Sequence, residues 1–447
     1  MSFNSFRDVL PSGLRVVTVE TPHLHTALLA IYVRTGSRHE AEANNGVSHF
    51  LEHLFFRGSE GWPDTVKMNA AVEEVGGNLN GVTTRDHGYY YTPIHPAHLR
   101  VGMDILGDML TRPRLTDMEV ERQIILEEML DEVDEKGRDI DLDNLSQRLL
   151  FPGHPLALKI AGTRESVTAL THAQVLEHFA KHYVAGNLVV TAAGRVNRQE
   201  VLEMTERAFA RLPLGPGNIE VAPPSTPSGP KLHFVAHDES QTEFRINFRT
   251  VPDRHEDQPA LQIIRRLLDD GLSSRLPFEI VERRGLAYSV HASLDTYHDA
   301  GLFEIEAASA PEKAAQVVEE SFRVLGALCD TEVGEEELSR AKRRHRMLLE
   351  FAQDSPGELA GWFGVNELFN APESFSHRAD LVDAQSAARV REVARRYFTR
   401  DNLTVVAVGQ RKGLKALERV VQEAPGLAAP KAPETPVLAA VSGLGRG

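Results

Sequence analysis

Between residues 48 and 56 the chain reads Ser-His-Phe-Leu-Glu-His-Leu-Phe-Phe. On a helix, positions i and i+4 share a face, so His49 and His53 can present both imidazoles to one ion. Glu52, three residues after His49, lies on the same side. Two neutral imidazoles beside a carboxylate suit Zn²⁺, with Glu52 left to act on a bound water. The order His-x-x-Glu-His is the reverse of the commoner His-Glu-x-x-His zinc motif. Catalytic zinc usually takes three protein ligands and keeps a fourth position open. The segment Glu121-Arg-Gln-Ile-Ile-Leu-Glu-Glu128 offers the third. Glu121 and Glu128 are almost two helical turns apart, so they lie on one stripe flanking Ile124 and Ile125. An unpaired charge beside an apolar face is costly, and a cation relieves that cost. The alternative is that both are edge carboxylates with Arg partners. Glu127 is rotated away and reads as solvated.

These residues need a scaffold, and the chain supplies it twice. Tyr183-Val-Ala-Gly-Asn-Leu-Val-Val-Thr-Ala-Ala-Gly194 resembles Tyr397-Phe-Thr-Arg-Asp-Asn-Leu-Thr-Val-Val-Ala-Val-Gly409, with Asn187 and Asn402 at an offset of 402 − 187 = 215. Arg34-Thr35 and Arg249-Thr250 repeat at the same spacing, 249 − 34 = 215. Each half reads as two strands (14–19 and 27–33; 231–236 and 242–249) followed by a helix (about 45–57; about 257–270). A further strand region comes next (88–92; 287–294), then amphipathic helices and a last strand. That order predicts an α+β fold. Two homologous α/β sandwich domains each carry a mainly antiparallel sheet with helices on one face. Residues 213–230, rich in Pro and Gly, read as a linker between domains 1–212 and 231–423, and residues 424–447 as a mobile tail. Opposite His49–His53 the second half carries Gln262-Ile-Ile-Arg-Arg266, a helix without the ligands. The histidines are therefore not required by the fold.

Composition narrows the function classes. With 49 Lys and Arg against 64 Asp and Glu, the formal charge is −15, which disfavours a nucleic-acid partner. The basic run Arg340–Arg346 follows acidic residues and reads as a solvated helix face. No apolar stretch approaches a membrane span, and the N-terminal residues carry no apolar signal core, so the expected location is cytoplasmic. Cys329 is the single cysteine, which excludes an internal disulfide framework and a thiolate metal cage. His87, His95, His98, His154, His172, His178 and His182 read mostly as surface or loop residues. Trp362, Phe363 and Phe351 read as core aromatics.

Taken together, these residues resemble the pitrilysin/insulinase family of zinc peptidases with the inverted motif, nearest its short bacterial and mitochondrial-processing-peptidase-like branch. The resemblance runs from Leu10 to Gly409. It is carried by Leu10-Pro-Ser-Gly-Leu-Arg-Val-Val17, Asn45-Gly-Val-Ser-His-Phe-Leu-Glu-His53, Gly76-Gly-Asn-Leu-Asn-Gly-Val-Thr-Thr-Arg-Asp-His87, Gly153-His-Pro155 and Arg284-Gly-Leu-Ala-Tyr-Ser-Val290. It implies one Zn²⁺ per chain held by His49, His53 and Glu128, Glu52 as general base, and Glu121 as the carboxylate supporting the site. It also implies an extended peptide added as a strand beside Asn80, and a substrate contact from Tyr288.

The implied function is a metalloendopeptidase cutting short or unfolded peptides in an enclosed chamber. The competing reading is a non-catalytic assembly core or peptide-binding subunit. The family pairs Tyr288 with an Arg seven residues earlier, and here that position is Val281. Two arrangements stay open, a homodimer and a heterodimer with a related non-zinc subunit carrying the Arg/Tyr pair.

Overall fold

The computed structural model describes residues 3–224 and 229–427; most of the expected 424–447 tail, and part of the expected linker, lie outside them. The first half builds β1 (Asn4–Val9), β2 (Arg15–Glu20), β3 (Ala27–Val33), β4 (Asn80–Thr83), β5 (Gly88–Ile94) and β6 (Leu188–Gly194). The second builds β7 (Lys231–Ala236), β8 (Thr242–Thr250), β9 (Val290–Thr296), β10 (Gly301–Ser309) and β11 (Leu403–Gly409). The sheets have orders β1-β2-β6-β3-β5-β4 and β7-β11-β8-β10-β9. Apart from β1, one order maps onto the other. Each sheet has one parallel pair, β2 with β6 and β7 with β11, and antiparallel pairs elsewhere.

The matching orders correct the expected strand equivalence. β5 corresponds to β10, and the edge strand β4 to β9, so the sequence pairing of 88–92 with 287–294 joined a central strand to an edge one. β4 is only four residues with Asn and Gly, and β10 buries Glu304; both lack the clean apolar pattern that marks a strand.

The central strands β6 and β11 are buried along their whole length, as their Val- and Ala-rich runs require. One face of each sheet is covered by helices of its own half. In the first half these include Val47–Phe55, Leu99–Thr111 and His172–His182; in the second, Gln258–Leu268, Ala314–Asp330 and Ala387–Tyr397. The opposite faces are covered reciprocally. Helix Pro356–Leu368 of the second half lays Leu359, Ala360 and Leu368 against Val17, Val19, Tyr32 and Val189 of the first sheet. Helix Leu142–Leu150 of the first half lays Leu142 and Leu145 against Val235, Val406 and Val408 of the second. Gly364 permits the first contact, since a Cβ there would lie 2.3 Å from the Tyr32 ring.

Ion pairs across the halves reinforce this exchange. Arg7 pairs with Glu367, and Arg38 makes two bonds to Asp299 at 2.7 and 3.0 Å. From the segment joining the halves, Glu220 accepts from Arg34 and His39 of the first half. Burial opposes the Glu220 charge, but hydrogen bonds from His39 and Arg34 outweigh it and hold the carboxyl down to about 2. The basic run on helix Glu335–Ala352 is likewise engaged, with Arg344 on Asp270 and Arg346 on Asp383. One expectation fails, since Phe351 is exposed. Of the seven histidines read as mostly surface or loop residues, only His178 and His182 are buried. Among the described residues no helix is long and apolar enough to cross a membrane.

Candidate metal centre

Helix Val47–Phe55 buries Val47, Phe50, Leu51, Leu54 and Phe55. These are positions i, i+3, i+4, i+7 and i+8, one apolar stripe. His49, Glu52 and His53 are left on the other face, toward helix Met118–Glu128 and strand β4. The helix is fixed at its start by Glu40, a buried carboxylate that no sequence pattern marks. Glu40 accepts from the Gly46 and Ser48 backbone N–H groups at 2.7 and 2.8 Å and from the Asn45 side chain at 2.8 Å. A carboxylate on the first N–H groups of a helix satisfies donors that have no partner within it. Ser48 is further tied to buried His178 at 3.0 Å.

His49, His53 and Glu128 converge, their donor atoms all within 4.8 Å of one another. Glu128 Oε2 lies 3.5 Å from His53 Nε2 and 3.9 Å from His49 Nε2. Four-coordinate zinc with bonds of about 2.0–2.1 Å separates its donors by roughly 3.4 Å, so Glu128 stands near ligand spacing from both imidazoles, and the three donors together lie close enough to draw in around one ion. The chemistry of the donor set agrees. Burial, with His53 adding to it, pushes His49 down to about 4, which keeps its ring neutral and able to ligate at neutral pH. The Glu128 side chain is half exposed, which leaves an approach from solvent.

Glu121 stands behind the trio rather than in it. It is 3% exposed, and its Oε2 accepts from His53 Nδ1 at 2.9 Å while Oε1 accepts from Arg57. Engaging Nδ1 leaves Nε2 as the free donor, the arrangement by which a carboxylate orients a metal-ligating histidine. The expected apolar stripe holds only in part. Ile125 is buried, whereas Ile124 is exposed beside the half-open Glu128. Glu121 therefore has an arginine partner, one of the two readings open from the residues, and touches the site histidine, as the resemblance implied. Glu127 is exposed.

Glu52 Oε2 accepts from the Thr83 hydroxyl at 2.5 Å. Burial pushes its carboxyl above the ordinary range, while the Thr83 hydrogen bond and His53 work the other way. Gly81 and Thr83 lie on one face of β4, two residues apart, and a Cβ on Gly81 would come within 3.0 Å of Glu52 Cγ. β4 pairs only with β5, leaving its other edge open among the described residues. Asn80 begins this strand, its amide bonded to the Asn78 carbonyl at 3.3 Å.

Tyr288 is not brought to the trio within this chain. It is 92% exposed on the loop ahead of β9. Val281 packs against the second core, and Arg283 and Arg284 are engaged by Glu279. In the ligand-free helix of the second half, Arg266 instead meets Asp270 and buried His345.

Comparison with known proteins agrees with this picture. Residues 15–164 match the profile described as insulinase, peptidase family M16, and residues 169–344 match the peptidase M16 inactive domain. A protein of Mycobacterium tuberculosis named as an uncharacterized zinc protease is 32% identical over 403 residues, 88% of this chain and 91% of its own. The chain belongs to peptidase family M16. Within that family it is also similar to the mitochondrial-processing peptidase subunit beta of Blastocladiella emersonii, 29% identical over 92% of this chain and 90% of that one. The fold matches the crystal structure of a protease from Helicobacter pylori, with a TM-score of 0.83 at 22% identity over 91% of this chain and 99% of that one. The M16 inactive-domain match falls mostly on the half whose corresponding helix lacks the histidines.

Proposed function

We propose that this M16 metallopeptidase is a zinc endopeptidase that hydrolyses short or unfolded peptides in its first half. The observation carrying the reading is the convergence of His49, His53 and Glu128 beside a carboxylate, Glu52, fixed to an open strand edge. His49 Nε2, His53 Nε2 and a Glu128 oxygen would hold the zinc, one ion to each chain. Bound there, the ion supplies a nucleophilic water at neutral pH and polarises the scissile carbonyl.

Glu52 does the proton work. Thr83 holds the carboxylate in place through Oε2, and the carboxylate takes the proton from water and returns it to the leaving amine. Glu121, held by Arg57, keeps the His53 tautomer. The peptide adds to the free edge of β4, beginning at Asn80, with main-chain hydrogen bonds giving affinity. Tyr288, exposed on the second half, contacts substrate across a dimer that closes the chamber. Its partner is a second copy or a related subunit, and the likeness to a chain named as a subunit supports the latter. A purely structural or binding subunit has no use for an intact ligand trio with Glu52 beside it.

Glu52→Gln tests the reading. The variant retains about one zinc per chain while cleavage of unstructured peptides falls by at least a thousandfold. Cleavage retained within tenfold removes Glu52 as the base.

A further inference from the structure

Helix Met118–Glu128 ends on the trio and holds two large apolar side chains out in solvent. Val120 is 51% exposed and Ile124 38%, one turn apart, with Glu128 one turn further along. At about 100° per residue, Glu128 is rotated about 20° from Glu121 around the helix axis, Ile124 about 60° and Val120 about 100°, all in one direction. Ile125 and Arg122, rotated the opposite way, are buried. Glu121 itself is turned to His53 and Arg57. Ile124 therefore stands on the open flank beside Glu128, on the side from which the ion is approached. Past Val120 the helix is wet, with Gln123 and Glu127 exposed. A lone exposed aliphatic residue needs no explanation, but two in register with a ligand do.

We infer that Ile124, backed by Val120, is a specificity-determining wall of the peptide site, and that it takes a large apolar side chain within two residues of the scissile bond. The inference rests on the reading above that peptides are cut at the trio. The occupant follows from reach. The scissile carbonyl meets the ion, and Glu128 is one of the ligands. Side chains at i and i+4 of a helix have Cβ atoms about 5–6 Å apart, so Ile124 lies that far along the helix from the ligand. Two residues of an extended peptide span about 6.6 Å, the same distance. A Leu or Phe there covers the strip and removes it from water. An acidic residue is disfavoured, because Ile124 offers no donor, Glu127 and Glu128 repel it, and the nearby Arg57 is engaged by Glu121.

The test uses the zinc-loaded full chain and unstructured quenched-fluorescent peptides whose cut site is first mapped by mass spectrometry. Each position within two residues of that site is changed in turn to Leu, Phe, Ser, Asp or Lys. Expected is one such position at which Leu or Phe exceeds Ser and Asp at least tenfold in kcat/KM, about the lower end of what an apolar contact discriminates. Ile124→Gln and Ile124→Lys keep good helix formers on an exposed face. Ile124→Gln cuts the ratio at least fivefold, Val120→Gln cuts it less, and Ile124→Lys raises Asp above Leu. Zinc content, Tm and native mass of each variant are measured on the same preparation. Binding of the same peptides to the Glu52→Gln chain, with and without Ile124→Gln, is followed by fluorescence anisotropy and reads the wall without cleavage.

A flat profile at every one of these positions overturns the wall. So does a preference that both substitutions of Ile124 leave intact, or a loss shared equally by Leu and Ser peptides at full zinc. A preference for Lys also overturns it and assigns the flank to Glu127. A fall in native mass with Ile124→Gln overturns it too, and makes the strip a seat for a partner chain. Leu-selective binding to the Glu52→Gln chain that needs Ile124, with no cleavage by the parent chain, upholds the wall and refutes the hydrolase. Cleavage indifferent to every change at position 124 does the reverse.

Discussion

Replacing Gly81 by alanine asks whether the position of Glu52, beyond its presence, sets the rate. The added Cβ would sit 3.0 Å from Glu52 Cγ, 3.1 Å from its Oε1 and 2.9 Å from the Phe56 ring. Carbon atoms rest about 3.5–4.0 Å apart, so the shortfall at Glu52 is about 0.5 Å. Gly81 is in an extended strand, so the main chain tolerates alanine. The side chains must yield, and Phe56 and Glu52 are what faces the new methyl. Glu52 cannot simply slide, because Thr83 holds Oε2 from the same face of β4. A misplacement of 1 Å at a reacting centre costs on the order of 100-fold, so half of that predicts about a tenfold loss in kcat. None of the atoms crowded by the methyl belongs to His49, His53 or Glu128, so zinc content stays at the parent level. The assay is steady-state cleavage of a fluorogenic peptide, with metal content and melting temperature measured on one preparation. A kcat within twofold of the parent, at full zinc and unchanged Tm, refutes the claim that Glu52 must be held where it is. Loss of zinc shows instead that position 81 reaches the ligands.

Further expectations concern the ligands and the joint between the halves. Glu128→Gln lowers zinc affinity by well over a hundredfold in a competition titration, and unchanged affinity removes Glu128 from the ligand set. Glu121→Gln, which leaves the ligands in place, weakens zinc by about 10–100-fold; an effect as large as that of Glu128→Gln places Glu121 in the trio itself. Treatment with a chelator abolishes cleavage and added zinc restores it, whereas full activity of a verified metal-free chain rejects the mechanism. Glu220 is held at about 2 in the folded chain against an ordinary 4.5. A depressed carboxyl stabilises above its unfolded pKa and loses that contribution as pH falls through the folded one. The window is therefore about pH 4.5 down to 2, and the contribution at most about 3 kcal/mol. In acid unfolding, the stability advantage of the parent over Glu220→Gln shrinks across that window, and a constant difference contradicts the assignment.

The sequence was most legible where one segment decides its own geometry. The stripe 47-50-51-54-55 that packs the ligand helix also dictates that His49, Glu52 and His53 face outward together. Strands 27–33 and 231–236 match the bounds read from sequence, and the 215-residue echo recurs as two sheets of like order. What was hidden depends on partners far along the chain. Glu40 caps the ligand helix from a loop, and Arg57 meets Glu121 from 64 residues away. His178 looked like a surface helix residue because its partners, Thr35 and Ser48, lie more than 100 residues earlier. Residue patterning did not mark β4, because the strand packs against Glu52 and Phe56 through Gly81, and glycine erases the strand pattern; only the resemblance pointed to a strand edge beside Asn80.

The helix exchange between the halves has a consequence for how the chain is made. The far side of the first sheet, with Val17, Tyr32 and Val189, is sealed by residues 356–368. Those residues leave the ribosome 368 − 194 = 174 positions after β6 is finished. At roughly 5–20 residues per second that is an interval of about 10–35 s. Throughout it, a nascent sheet with one bare greasy side waits for its lid, and a holdase that shields it is most needed then.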